Sequence, residues 1–200
     1  MNETPTVLFV PGLRDHVEGH WQTIAARKIP GSHTVAPLER DKLSCEARVA
    51  AREAAYRKLQ GPVVLAAHSA GVMIAVHWAR RHAPRLHGAL LAAPADLEMP
   101  LPEGYPRLHA LASNGWLPIP REKLPFPAMV AASTNDPLAS LDRVEGFARA
   151  WGARLVNAGA VGHLNPAAGF GEWKLGEVLV NELCRLSTTE RNSVCFAASV

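Results

Sequence analysis

Ser69 lies in the stretch Ala67-His68-Ser69-Ala70-Gly71. A strand-like run, Val63-Val64-Leu65-Ala66-Ala67, leads into it, and a helix-like run, Val72-Met73-Ile74-Ala75-Val76, leads out. A serine with a small residue two before it and glycine two after it, at a strand-to-helix switch, has the form of a nucleophile elbow. The turn is sharp, so bulky neighbours would clash, and it lifts the serine Oγ above the edge of a sheet. It also places the next backbone N–H, that of Ala70, at the start of a helix. Free N–H groups and a partial positive charge collect there. One piece of backbone thus supplies a nucleophile and half of an oxyanion site. Position 67 holds alanine where this motif usually holds glycine, which predicts the same turn with tighter packing.

A serine hydroxyl is a weak nucleophile and needs a base, commonly a histidine oriented by a carboxylate. Each partner should follow a strand at the same sheet edge as the elbow. Asp136 does so in Ser133-Thr134-Asn135-Asp136-Pro137, after the apolar run 128–132. His163 does so in Gly159-Ala160-Val161-Gly162-His163-Leu164-Asn165, after the run 154–157. The other histidines fall in the first loop (His16, His20), before a strand (His33), inside the elbow (His68), on or after its helix (His77, His82, His87), or in a proline-rich stretch (His109). None of them follows the acid at a strand end. Asp96 is the alternative acid, since it follows the run ending at Ala93. Asp142, close behind Ser140, reads as a first-turn helix residue favoured by the dipole. An oxyanion hole needs two N–H donors. Ala70 supplies one. Leu13, after Val10-Pro11-Gly12, is the expected second and Arg14 its alternative. The Arg14 side chain reads first as a solvated surface charge, with contact to an anionic substrate group as the other reading.

These residues need a scaffold that delivers three loops to one edge. Short apolar runs alternate with longer amphipathic ones, the pattern of a parallel α/β sheet with crossover helices. Strands are expected at 6–10, 34–36, 63–67, 88–93, 128–132 and 154–157, and helices at about 20–28, 45–60, 72–82, 141–151 and 173–186. About six strands make a doubly wound, mostly parallel sheet, whose ligands bind outside the carboxyl ends of the strands. Residues 94–127 break this rhythm with eight prolines. Their apolar content (Leu101, Tyr105, Leu117, Ile119, Leu124, Phe126) predicts an ordered loop over the sheet edge, able to wall a pocket. Residues 1–186 read as one domain and 187–200 as a mobile or loosely packed tail.

The chain has 200 residues, 48% hydrophobic and 20% charged, with a net charge of +3. This is an ordinary globular composition. It contains no basic-aromatic stripe for nucleic acid and no apolar run long enough for a bilayer. Phosphate-binding, dinucleotide and metalloprotease motifs are all missing, so no metal or other cofactor is expected. Three cysteines without metal-like spacing, and a polar start running directly into a strand, fit a cytoplasmic protein.

The ordered set of motifs resembles the small serine hydrolases of the α/β-hydrolase superfamily, the family of retinoblastoma-binding protein 9 and its bacterial relatives. The matching residues are Val10-Pro11-Gly12, His20-Trp21-Gln22, His68-Ser69-Ala70-Gly71, Trp116-Leu117-Pro118-Ile119-Pro120, Leu124-Pro125-Phe126-Pro127, Ser133-Thr134-Asn135-Asp136-Pro137, Gly162-His163-Leu164-Asn165 and Gly169-Phe170-Gly171-Glu172-Trp173. The resemblance implies a compact fold without a large cap domain, Ser69, Asp136 and His163 as a triad, and acyl transfer to water. A small ester-like molecule is the expected partner, with amides or thioesters as other substrates. The rival expectation is a protein-binding module on the same fold.

Overall fold

The computed structural model describes residues 4–187. Six strands form one parallel sheet in the order β2-β1-β3-β4-β5-β6. They are β1 (Thr6–Val10), β2 (His33–Thr34), β3 (Val63–His68), β4 (Gly88–Ala92), β5 (Ala128–Ala132) and β6 (Arg154–Asn157). The helices are α1 (Trp21–Lys28), α2 (Cys45–Tyr56), α3 (Ala70–His82), α4 (Leu108–Ser113), α5 (Leu141–Trp151) and α6 (Lys174–Arg185).

The inner strands are apolar almost throughout because helices cover both faces of the sheet. Side chains alternate strictly. Leu8 and Val10, Leu65 and Ala67, Leu91, and Val130 and Ala132 join the core under α2, α3 and α5. Val7 and Phe9, Val64 and Ala66, Leu90 and Ala92, and Met129 and Ala131 join the core under α1 and α6. In register, Val10 faces Ala67 and Ala67 faces Leu91. The carboxyl ends of β1, β3 and β4 therefore finish level, and the loops that follow them share one rim.

Helix starts and stops follow local chemistry. Ser44 and Ser140 accept from the backbone N–H of Ala47 and Arg143, capping α2 and α5. Gly152, at φ 63°, ends α5 in the left-handed conformation that suits glycine. Gly146 lies mid-helix, and a Cβ built there meets nothing within 4 Å. Gly146→Ala should therefore raise the unfolding free energy by about 0.5–1 kcal/mol, because alanine loses less backbone entropy. Urea denaturation checks this, and an unchanged midpoint would refute it.

The structure departs from the sequence reading in a few places. Helix α2 ends at Tyr56, not near position 60. Lys58 and Leu59 donate to carbonyls three residues back, so the chain tightens into turns that bring Leu59 onto the core before Gly61. Strand β2 is only His33–Thr34, since a sheet edge with both residues exposed needs little pairing. The elbow strand and helix start and stop closer together than expected, at His68 and Ala70, leaving Ser69 alone between them. The proline-rich stretch contains α4, a helix not foreseen. Trp116, Ile119, Leu124 and Phe126 from this stretch are buried in the core, and the Trp116 indole N–H donates to the Leu43 carbonyl at 2.6 Å. It is an ordered wall as expected. Thirteen residues of the C-terminal tail, 188–200, lie outside the described residues. No described helix is long and apolar enough to cross a membrane.

Candidate active site

Ser69 occupies the tight turn between β3 and α3 with φ 58° and ψ −128°. A non-glycine residue in this region costs on the order of 1–3 kcal/mol and is kept only where the surroundings enforce it. Here the Ser69 N–H donates to the Ala92 carbonyl at 3.1 Å, and the Ser69 carbonyl accepts from Val72 at 3.0 Å. Ala67 is fully buried within the sheet, so alanine is accommodated and the turn is intact. The two glycines each answer a steric demand. A Cβ at position 71 would lie 2.3 Å from the Val10 carbonyl oxygen, and one at position 12 would lie 3.2 Å from the Ser69 Cβ. The start of α3 is pressed against the end of β1, and the loop after β1 is pressed against the serine.

His163 Nε2 lies 2.8 Å from Ser69 Oγ. His163 Nδ1 lies 2.8 and 3.0 Å from the two carboxylate oxygens of Asp136. A carboxylate only accepts, so Nδ1 donates to it and Nε2 is left to accept from the serine hydroxyl. The loops carrying these two residues are stitched together. The Thr134 N–H donates to the Gly159 carbonyl at 2.9 Å. The Asn135 side-chain oxygen accepts from Gly162 at 2.7 Å, and the Ser133 hydroxyl accepts from Val161 at 3.3 Å. The Leu138 N–H donates to Asp136 Oδ1 at 2.8 Å. Gly162 has φ 55°, and a Cβ there would meet the Cβ of Ala168 at 2.7 Å.

The alternative acid, Asp96, is committed elsewhere. Arg143 grips it through two hydrogen bonds of 2.6 and 3.0 Å and also binds Glu98 at 2.6 Å. These charged hydrogen bonds push the Arg143 pKa still higher. Asp142 is exposed in the first turn of α5.

Leu13 and Ala70 both line the cavity above Ser69. The loop that carries Leu13 is held by Arg48, a buried residue of α2. Its guanidinium donates to the carbonyls of Leu13 at 3.2 Å and Gly12 at 3.5 Å. It also reaches Asp15 at 2.8 Å and the Lys42 carbonyl at 2.6 Å. With its carbonyls pinned from behind, the loop is fixed in place around Leu13. Nothing in an Arg-rich helix singles out this arginine, and only the packing of α2 against the first loop reveals it.

Two histidines set aside in the sequence reading prove to be neighbours of His163. The His68 ring lies 4.9 Å from the His163 ring and 4.5 Å from the His20 ring, centroid to centroid. His68 Nε2 lies 2.8 Å from the His163 carbonyl oxygen and must therefore be the donor. His20 caps α1, its Nδ1 accepting from the Gln22 N–H at 3.2 Å. Burial first, and then the neighbouring His163, lowers the pKa of His68 and brings that of His20 to about 4. Both rings are neutral at pH 7.

That burial sets a pH dependence. With a folded pKa near 4 and an unfolded value near 6.5, His20 binds more protons when the chain is unfolded. Its contribution is fully present above about pH 6.5 and is lost as pH falls through 4, at a cost of about 3 kcal/mol. His68 acts in the same direction. Urea unfolding at pH 7 and pH 4.5 should show this fall, and His20→Asn should make it shallower. Equal slopes in the two proteins would refute the assignment.

The cavity has a volume of about 330 Å³, and Ser69, His163 and His20 all line it. Leu97, Leu101 and Tyr105 from the proline-rich stretch and Leu138 from the Asp136 loop complete its wall. Among the described residues, no group of three or more His, Cys, Asp or Glu side chains is placed to hold a metal ion.

Residues 7–182 match the model of a family described as serine hydrolase. A protein described as a YdeN-like hydrolase, from Pectobacterium atrosepticum, is 30% identical over 90% of this chain and 91% of its own, with a TM-score of 0.76. The ydeN gene product of B. subtilis covers 90% of this chain and 98% of its own at 16% identity, with a TM-score of 0.66. Est1E from Butyrivibrio proteoclasticus covers 92% and 87% at 10% identity, with a TM-score of 0.64. At such identities the last two share the fold alone. A search of the curated proteins gives no match. With its six-stranded α/β-hydrolase sheet and a match over nearly its whole described length, the chain belongs to the serine hydrolase family.

Proposed function

We propose that this hydrolase cleaves small carboxylic esters through an acyl-enzyme on Ser69, with His163 as base and Asp136 as its orienting acid. The observation that carries the reading is the unbroken hydrogen-bonded chain from Ser69 Oγ through both nitrogens of His163 to Asp136. His163 takes the hydroxyl proton as Oγ attacks the carbonyl carbon. The N–H groups of Leu13 and Ala70 receive the oxyanion, each such donor contributing about 10²–10³ in rate. Asp136 holds the histidine tautomer and stabilises the imidazolium, while His20 and His68, both neutral, add no competing positive charge. His163 then protonates the leaving alkoxide, and water repeats the sequence on the acyl-enzyme. Amides and thioesters would follow the same steps. Among the described residues Cys45 and Cys184 are free, and burial pushes the Cys45 thiol up to about 11. Unreactive, unpaired thiols suit a reducing cytoplasm.

Labelling with a fluorophosphonate, followed by mass spectrometry, tests the reading. Stoichiometric modification of Ser69, absent from the Ser69→Ala protein, is expected. A folded protein that takes no label would overturn the hydrolase reading in favour of a binding role.

A further inference from the structure

We propose that the substrate is a half-ester of a dicarboxylic acid, whose free carboxylate is received by Arg14 at the rim of the cavity while its chain lies along the apolar wall. This inference rests on the hydrolase reading of the same site.

Charge inside the cavity is one-sided. Apart from the imidazoles, its lining contains two charged side chains, Arg14 and Asp15. Asp15 is already matched by Arg48 at 2.8 Å. Arg14 makes no ion pair or hydrogen bond among the described residues; its guanidinium lies over the ring of Tyr105, 5.3 Å from the centroid. His20 and His68 are neutral, as their burial dictates. One uncompensated cation therefore remains, parked on an aromatic face beside a low-dielectric cavity. Such an opening focuses the field and draws an anion of matching size. Arg14 is exposed, and its guanidinium lies over Tyr105, which is part of the wall of the site. A guanidinium also matches a carboxylate fork through two parallel N–H donors.

The rest of the wall suits the methylene chain between the two carboxyl carbons. Leu13, Leu97, Leu101 and Leu138 line it. A volume of about 330 Å³ holds roughly ten water-sized groups, enough for a short or medium diacid chain with room for part of an alcohol. The carboxylate belongs to the acyl side. The leaving oxygen must meet the proton on His163 Nε2, so the alcohol lies towards the loop of His163, Asn165 and Pro166. We assign the acyl chain to the apolar side of the cavity lined by Leu97, Leu101 and Tyr105, where Arg14 lies over the Tyr105 ring. In the reaction, the ester C–O bond breaks after Ser69 attack and the alcohol leaves with the proton from His163. Water then adds hydroxide to the acyl carbon and gives its proton to His163; the acyl–Oγ bond breaks, His163 returns the proton to Ser69 Oγ, and the diacid leaves and ionises in water.

The test uses the full chain and 4-nitrophenyl half-esters of succinate, glutarate, adipate and suberate. Each is paired with a neutral partner in which the free carboxylate is methylated. The quantity read is the kcat/KM ratio of charged to neutral ester within each protein, so any general change in activity cancels. The wild type should favour a charged ester by about tenfold or more, the lower range for a charge-assisted hydrogen bond at a partly open site. The ratio should collapse towards one in Arg14→Gln, recover in part in Arg14→Lys, and shrink with added salt. A wild type that favours the neutral esters at every length would overturn the proposal. A preference that survives in Arg14→Gln would also overturn it. In both cases hydrolysis of the neutral esters keeps the hydrolase reading standing. Failure to hydrolyse any ester would overturn both.

Discussion

Ser69→Ala should lower kcat on a neutral 4-nitrophenyl ester by about 10⁴–10⁶-fold while leaving the fold unchanged. The substitution removes one oxygen. Among the described residues, that oxygen's hydrogen-bond partner is His163, which keeps its two contacts to Asp136. The stability change should be small, and relief of the strained backbone at φ 58° is not available because alanine is no freer there than serine. Circular dichroism and a urea melt alongside the kinetics separate loss of chemistry from loss of fold. A variant that retains its turnover would remove Ser69 from the mechanism, and one that unfolds would show the hydroxyl to be structural. Double replacement of Ser69 and His163 should cost little more than Ser69→Ala alone, because groups that act as a unit are not additive.

Gly71→Ala should destabilise the protein by about 3 kcal/mol or more, and should also cut turnover by at least the value of one oxyanion donor, about 10²-fold. The added carbon would lie 2.3 Å from the carbonyl oxygen of Val10, 2.6 Å from that of Pro11 and 3.0 Å from the Pro11 carbonyl carbon. All three are backbone atoms of β1 and its loop, so no side chain can rotate out of the way. Relief requires the start of α3 to move away from the end of β1. The same two segments carry Ala70 and Leu13, and separating them pulls the two proposed oxyanion donors apart. Activity and stability are thus tied by one contact. Gly146→Ala in α5, where the same methyl meets open space, makes the contrast: the sign of a glycine replacement is set by the neighbours. Urea denaturation and kcat/KM measured together check the coupling. A Gly71→Ala protein as stable as the wild type would show that the close approach of α3 and β1 is not needed.

Sequence patterns carried most of the architecture because the forces that specify it are local. Short apolar runs set off by glycine, proline or polar residues gave β1, β5 and β6, and amphipathic spacing behind Ser44 and Ser140 gave α2 and α5. The elbow was legible for the same reason: a sharp strand-to-helix turn admits few residue types, so its steric demands are written in consecutive positions. Asp136 and His163 could be named because chain order and strand ends restrict which loops reach one edge. Helix α4 was not legible, since a six-residue helix flanked by prolines has too short a period to register.

What the sequence by itself determined is the set of reactive residue types, the parallel α/β class and the edge at which the loops converge. Tertiary structure alone decided which groups touch. Arg48 grips the first loop from α2, His68 packs between His20 and His163 without stacking on either, and Asp96 is claimed by Arg143 instead of by a histidine. Each of these contacts joins residues 33 to 95 positions apart in the chain, as between Asp15 and Arg48 or His68 and His163. Their partners are selected by where packed elements bring side chains, and burial then sets their charge. No local pattern encodes either outcome, because desolvation and ion pairing depend on every element that closes around the group.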